Sequence, residues 1–252
     1  MAGDLFSLEG RVALVTGGNA GLGRAMARGL REAGAVVAVT GRDPGRNEHA
    51  AREFGEEAVH VMDVRDEDAV GRVVATVVSR HGSLDVLVSN AGLIQGFGAL
   101  RMSAADWAAT LDTNLTGAFL CARHAAAAMA AGGRGGAIVS IGSVYSALGT
   151  RAVPHYAAAK AGLVGLTRSL AVEFAPDRIR VNAILPGFYD TDMAREHVSA
   201  ERRAEVTRRT PAGRWGEPEE LVGPVVFLAS AASSYVTGAC LPVDGGFLIS
   251  PY

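Results

Sequence analysis

Seven short apolar runs rich in β-branched residues, each parted from the next by sequence of helical character, set the limits on how this chain folds. They are "RVALVT" from Arg11, "AVVAVT" from Ala35, "AVHVM" from Ala58, "DVLVS" from Asp85, "GAIVSI" from Gly136, "IRVNAI" from Ile179 and "CLPV" from Cys240. Continuous apolar strands, as opposed to alternating ones, belong to parallel sheets covered on both faces, and parallel neighbours need helical crossovers. The intervening segments supply them. Gly21 to Ala33 places Leu22, Ala25, Met26 and Leu30 on one helical face. Ser103 before "AADWAATL" reads as an N-cap, and "CARHAAAAMAAGGRGG" as a closely packed helix ending at Gly132 and Gly133. The expected fold is an α/β, doubly wound parallel sheet with helices on both faces, in one domain spanning 1–252.

Charge and cysteine usage narrow the function. A formal charge of -2 without basic runs argues against nucleic-acid and polybasic membrane partners. Cys121 and Cys240 are the two cysteines; with no CxxC and no Cys/His cluster, neither a disulfide framework nor a metal site is expected. "MAGDLFSLEG" lacks an apolar signal core, and no apolar run reaches spanning length. The expectation is a soluble cytoplasmic protein acting on a small molecule. From Gly187 to Arg214 the chain turns strongly charged directly after a strand end, where such sheets bind ligands. Residues 187–214 are read as a substrate lid, against the alternative of a solvated helix pair.

The first strand runs into "TGGNAGLG", with Gly17, Gly21 and Gly23 at the turn and the next helix start. Glycines there let the backbone approach a pyrophosphate held by helix N-terminal N–H groups. The G-x-x-x-G-x-G spacing is one residue longer in its first gap than the general dinucleotide fingerprint. At the end of the second strand, where an acid binds the adenosine ribose, stand Gly41 and then Arg42. No acid repels a 2′-phosphate and Arg42 can hold one, so NADP(H) is preferred and NAD(H) possible; Asp43 nearby keeps the NAD alternative open.

The chain holds 23 arginines and one lysine, Lys160. A lone lysine among so many arginines points to a place where a planar guanidinium does not serve. Tyr156 precedes it by four residues, which puts both on one helix face. A neighbouring ammonium lowers a phenol's pKa from about 10, making Tyr156 a candidate general acid/base. Ser143, at a strand's carboxyl end, can orient a carbonyl. Asn114, mid-helix where asparagine is disfavoured, can hold a water relaying protons from Lys160.

"TGGNAGLG", "MDV" with Asp63, "NAG", Asn114, Ser143, Tyr156-x-x-x-Lys160, "PGFYDTDM" and "PVDGGF", in this order, resemble the short-chain dehydrogenase/reductase family from end to end. The resemblance implies a Rossmann-type sheet of seven strands and hydride transfer between a nicotinamide and a carbonyl or alcohol carbon. It also implies a homotetramer, with a homodimer as the alternative. It assigns cofactor contacts to Gly17, Asn19, Ala20, Gly21, Leu22, Gly23 and Arg42, to Asp63 and Val64 around adenine, and to Asn90, Ala91 and Gly92 at the nicotinamide ribose. Tyr156, Lys160, Pro186, Gly187, Phe188 and Thr191 complete that set, with Thr191 on the carboxamide. Ser89 stands where the family usually has an asparagine. Sugar-acid and polyol dehydrogenases and 3-oxoacyl-acyl-carrier-protein reductases share further segments. Arg151 and His155 are candidate anion-binding groups, while Tyr145, Phe188 and Leu93 suit a partly apolar pocket. The alternatives are an NAD-dependent sugar-acid or polyol dehydrogenase, a dehydratase or epimerase, and a catalytically silent nucleotide sensor; the intact catalytic set and the absence of length for a second domain weigh against the last two.

Overall fold

The computed structural model describes residues 5–96 and 98–250; the first four residues of the amino-terminal segment, expected to carry no leader, lie outside the described residues. The seven apolar runs become the strands β1 (Val12–Thr16), β2 (Val36–Gly41), β3 (Val59–Val61), β4 (Val86–Ser89), β5 (Gly136–Ile141), β6 (Ile179–Pro186) and β7 (Cys240–Val243). They form one sheet in the order β3-β2-β1-β4-β5-β6-β7, every pair parallel. Strand order reverses between β1 and β4. That is the topological switch point, where open α/β sheets bind ligands beyond the strands' carboxyl ends.

Successive residues of a strand point to opposite faces, and β1 supplies both cores. Ala13 and Val15 pack with Val39, Val88 and Ile141 against Met26 and Leu30 of α1 (Gly21–Glu32) and against Val225 and Leu228 of α9 (Val222–Ala229). Val12 and Leu14 face the other way, with Leu87, Ile138 and Val181. There they meet α3 (Glu67–His81), α5 (Gly117–Gly132) and α6 (Pro154–Glu173). The alanines of α5 are what this second layer requires: Ala122, Ala125 and Ala126 are buried, so their small side chains bring α5 close to its neighbours. That helix stops at Gly133, whose φ of 67° lies in the left-handed region. Upstream, α4 (Ala104–Leu111) starts at the expected Ser103 cap, in a capping box with Asp106. A π-helical turn, Asp112–Thr116, joins α4 to α5.

At the amino ends of the strands, Asp85 fastens three of them. Its buried carboxylate accepts from the Val12 N–H at 2.9 Å, the Ser83 hydroxyl at 2.9 Å and the Arg134 guanidinium at 2.7 Å, with Arg11 at 3.3 Å. At the carboxyl ends, β6 leads into α7 (Asp192–His197) and α8 (Ala200–Arg209). The charged segment 187–214 is therefore helical and carries the ion pairs its sequence suggests: Asp190 binds Arg195 and Arg203, and Arg202 binds Glu205. It is also docked. Val206 of α8 and Trp215 are buried with Val144 and Phe247 in a third apolar cluster. Among the described residues no helix is long and apolar enough to cross a membrane.

Candidate active site

Every motif singled out in the sequence falls at the carboxyl edge of the sheet. The turn after β1 is held by the segment after β4. Asn90 donates through Nδ2 to the carbonyls of Thr16 at 3.0 Å and Gly17 at 3.1 Å, and the Thr16 hydroxyl accepts from the N–H groups of Asn90 and Ala91. Close approach explains two glycines. A Cβ at Gly23 would lie 2.3 Å from the Gly17 carbonyl oxygen, and Gly17 adopts φ 62°. Ala20 occupies the N-cap of α1, so no side chain caps that helix, and its first turn carries no acid. Leu22 packs partly into the core behind the turn. An uncapped helix N-terminus behind a glycine-lined turn fits a pyrophosphate.

The end of β2, the candidate adenosine site, departs from a simple reading of its residues. Asp43, the acid that kept NAD in play, accepts from the Arg46 N–H as the N-cap of α2 (Pro44–Phe54), with Pro44 at the first helical position. Gly41 is sealed from above: Asn19 donates to Asn47 at 2.8 Å, Asn47 donates to the Gly41 carbonyl at 3.1 Å, and a Cβ at Gly41 would sit 1.9 Å from Asn19 Nδ2. Arg42 extends outward, half exposed, 3.5 Å from Asp63. Arg65 grips that same carboxylate closely, at 2.6 Å, and its hydrogen bonds and charge hold Asp63 down at about 2. Val64 turns its side chain into the core against Gly117, so only its backbone is left for an adenine.

Around Tyr156 the proton chemistry takes shape. Lys160 is buried and donates from Nζ to the Ile141 carbonyl at 2.7 Å, with Nζ 5.5 Å from the centre of the Tyr156 ring. Ser143 is buried, and its Oγ accepts from the Tyr145 N–H at 3.1 Å, which leaves its own hydrogen for a carbonyl. The sequence predicts a tyrosine pKa lowered by Lys160. The structure reverses the direction: the protein packed around Tyr156 pushes it up to about 12, opposed by its interaction with Ser143. Burial also brings Lys160 down to about 8. Both shifts have one cause, since burial disfavours the charged form of either group. Burial thus favours the protonated form of Tyr156.

Asn114 lies in the π turn, buried. Its Nδ2 donates to the carbonyls of Leu93 at 2.8 Å and Thr110 at 2.9 Å, while Oδ1 accepts the Leu93 N–H at 3.2 Å. Both amide hydrogens are thus committed, and the residue clamps the loop after β4, a role its sequence context does not reveal. A Cβ at Gly92 would fall 2.8 Å from Asn114 Oδ1, so glycine leaves that amide its place against the loop. Past β6, Gly187 has Asp244 against it, 2.7 Å from where a Cβ would stand. Thr191 caps α7 by accepting from Ala194 at 3.2 Å, retaining a hydroxyl hydrogen to donate.

Phe188 joins an aromatic chain: Tyr156 meets Tyr145 edge-on at 6.3 Å, Tyr145 meets Phe188 at 6.2 Å, and Phe188 meets Trp215 and Phe247. Of the two candidate anion-binding groups, His155 is fully buried on α6, close enough to Asp106 of α4 to feel its charge, and Arg151 is exposed; neither lines the cavity beside Tyr145. Sequence reasoning passes over Arg65 and Arg202. Arg65 has a local signal, an arginine two residues after an acid; Arg202 has none in a segment crowded with arginines.

The family described as enoyl-(acyl carrier protein) reductase matches residues 17–248. The chain is 42% identical over 246 residues to 2-dehydro-3-deoxy-D-gluconate 5-dehydrogenase of Escherichia coli (strain K12), covering 96% of this chain and 97% of that one. It is 43% identical over 241 residues to cis-4-hydroxycyclohexanecarboxylate dehydrogenase of Sinomonas cyclohexanicum, covering 94% and 96%. The crystal structure of a gluconate 5-dehydrogenase from Burkholderia cenocepacia J2315 in complex with NADP and tartrate superposes with a TM-score of 0.92 at 38% identity, covering 98% of each chain. With these likenesses spanning nearly its whole length, and with its seven-stranded parallel sheet in place, the chain belongs to the short-chain dehydrogenase/reductase family of oxidoreductases.

Proposed function

We propose that this protein reduces a ketone to a secondary alcohol, and runs the reverse oxidation, with NADP(H). The observation that carries the reading is a tyrosine whose protonated form burial favours, with the ammonium of the one lysine 5.5 Å from its ring centre, at the carboxyl edge beside the glycine turn and Ser143. When bound, the nicotinamide supplies or accepts the hydride. Ser143 donates its free hydrogen to the ketone oxygen and orients it. Tyr156 delivers a proton to that oxygen as negative charge develops there. Lys160, with donors left beyond its Ile141 bond, holds a ribose hydroxyl and places positive charge near the forming phenolate. Asn114 fixes the loop that carries Asn90 to Gly92, and Gly17, Asn19, Ala20, Gly21, Leu22 and Gly23 form the pyrophosphate turn. Pro186, Gly187, Phe188 and Thr191 close the nicotinamide side, Thr191 through its free hydrogen.

For NADP(H) over NAD(H), an acid at Gly41 would have to displace the Asn19 amide, and Arg65 holds Asp63 at 2.6 Å, leaving Arg42 only a 3.5 Å contact there and the rest of its fork for a 2′-phosphate. The structural neighbour bound to NADP supports the same choice. Changing Tyr156 to Phe is expected to abolish NADPH oxidation with ketones while NADPH still binds by fluorescence titration; near-normal turnover would overturn the assignment. The 187–214 segment is proposed to close over substrate, so limited proteolysis there should slow in the ternary complex. We place the protein in the cytoplasm as a homotetramer; two free thiols suit a reducing compartment, and light scattering measures the assembly.

A further inference from the structure

A cavity of about 160 Å³ opens beside Tyr145, lined by Tyr145, Leu148, Thr150, Arg202, Arg209 and Phe247. Its charge is unbalanced. Arg202 donates to the Tyr145 hydroxyl at 3.3 Å and to Glu205 at 2.8 Å, its guanidinium standing 5.8 Å from the centre of the Phe188 ring. Arg209 stacks 4.7 Å over Phe247 and has no carboxylate within ion-pair distance among the described residues. Two guanidiniums thus face one carboxylate, over aromatic walls that hold them in place. Guanidinium forks match carboxylates bidentately, and one stacked on a ring keeps its donor edge free. The cavity is too small for a whole ligand of ordinary size and suits one end of it.

Its position says which end. The Tyr145 ring separates it from Tyr156, at 6.3 Å between ring centres. A substrate whose reacting carbon lies at Tyr156 and Ser143 therefore reaches the two arginines across a short carbon chain or a small ring. We propose that Arg202 and Arg209 form a carboxylate-binding subsite, and that the substrate is a small hydroxy or oxo acid whose reacting carbon is set apart from its carboxylate by such a spacer. This rests on the carbonyl-reduction reading for its location, and on the arginine pair for its chemistry. The two arginines come from α8, the helix docked through Val206, so the subsite is carried by the charged 187–214 segment.

The test uses the NADP⁺-loaded protein, titrated by calorimetry with 4-oxocyclohexanecarboxylate and with its uncharged carboxamide. Wild type should bind the acid about ten- to a hundredfold more tightly than the amide, the worth of a charge-assisted hydrogen bond. Arg209→Gln should erase that difference while leaving the amide and NADP⁺ within about twofold, and Arg209→Lys should restore part of it. Equal binding of acid and amide, an unchanged preference in Arg209→Gln, or no binding of either compound would overturn the subsite. Tyr156→Phe separates the two proposals. If the preference for acid survives in it while wild type reduces no ketone, the subsite stands and the reductase reading fails. If wild type reduces neutral ketones as well as acids and Arg209→Gln changes neither, the reverse holds.

Discussion

An acidic residue at the end of the second strand is the general device by which such folds bind an NAD ribose, and Gly41→Asp would be the direct way to install it. Here the substitution should fail. The new Cβ would stand 1.9 Å from Asn19 Nδ2, 2.3 Å from Asn19 Cγ and 2.7 Å from Asn47 Oδ1, so the buried Asn19–Asn47 pair has to part. Overpacking of this kind costs about 1–3 kcal/mol. Leaving the Asn47 oxygen without its donor adds about 1–3 kcal/mol. For a chain of this length, roughly 2–6 kcal/mol lowers Tm by about 5–20 °C. Scanning calorimetry gives Tm, and kcat/KM with NADPH and NADH gives the preference. The expected variant melts early and loses NADPH turnover without gaining NADH turnover. Adding Asn19→Gly, which clears the space, should recover part of the Tm and admit NADH. A Gly41→Asp protein that melts within about 2 °C of wild type and prefers NADH would refute the reasoning.

Arg42→Ala should weaken NADP(H) binding by about ten- to a hundredfold, through loss of a charge-assisted contact, and leave NAD(H) nearly unchanged by fluorescence titration. Lys160→Met should kill turnover yet stabilise the cofactor-free protein at pH 7. Folding takes the Lys160 pKa from 10.5 to about 8, an opposing contribution on the order of 3 kcal/mol. Because the folded value is the lower one, that burden is full below pH 8 and is relieved as pH rises from 8 towards the unfolded value. The Tm gap between Lys160→Met and wild type should therefore narrow in alkaline buffer. For the same reason kcat/KM for NADPH should fall above a pKa near 8 as the ammonium is lost, while Tyr156, at about 12, stays protonated across that range. Asp85→Ala should destabilise by about 3–5 kcal/mol by stripping a buried carboxylate from its cations and from the Val12 N–H, without altering kcat at a temperature where the protein is folded.

The sheet was legible because its signal is local and repeated: each apolar run is a strand, and parallel order comes from the helices between them. The positions of Tyr156, Lys160 and Ser143 were legible for a similar reason, since an i,i+4 pair and a strand end are features of one element. Properties set by distant contacts were not. The pKa of Tyr156 depends on everything packed around it, and the expectation of a lowered value weighed one neighbour against none of the desolvation. Asp43 keeps the NAD alternative open in sequence because its capping role is decided by where the helix starts. His155, adjacent to Tyr156 in the chain, points away from it because consecutive helical residues face about 100° apart; it is buried on α6, within reach of the charge of Asp106 on α4.

The π-helical turn at Asp112–Thr116 makes this stretch of the protein a matter of counting. A helix that accommodates one extra residue there keeps the faces of α4 and α5 in a phase that ordinary winding would not give, and each residue added or removed rotates the downstream helix by about 100°. Deleting any one residue between 112 and 116 would turn the buried alanines of α5 off α3 and swing the amide of Asn114 off the Leu93 backbone, even if every remaining side chain were kept. Drift among homologous sequences should accordingly permit substitutions across this turn far more readily than insertions or deletions, with the length of the rod inherited more strictly than the letters that spell it.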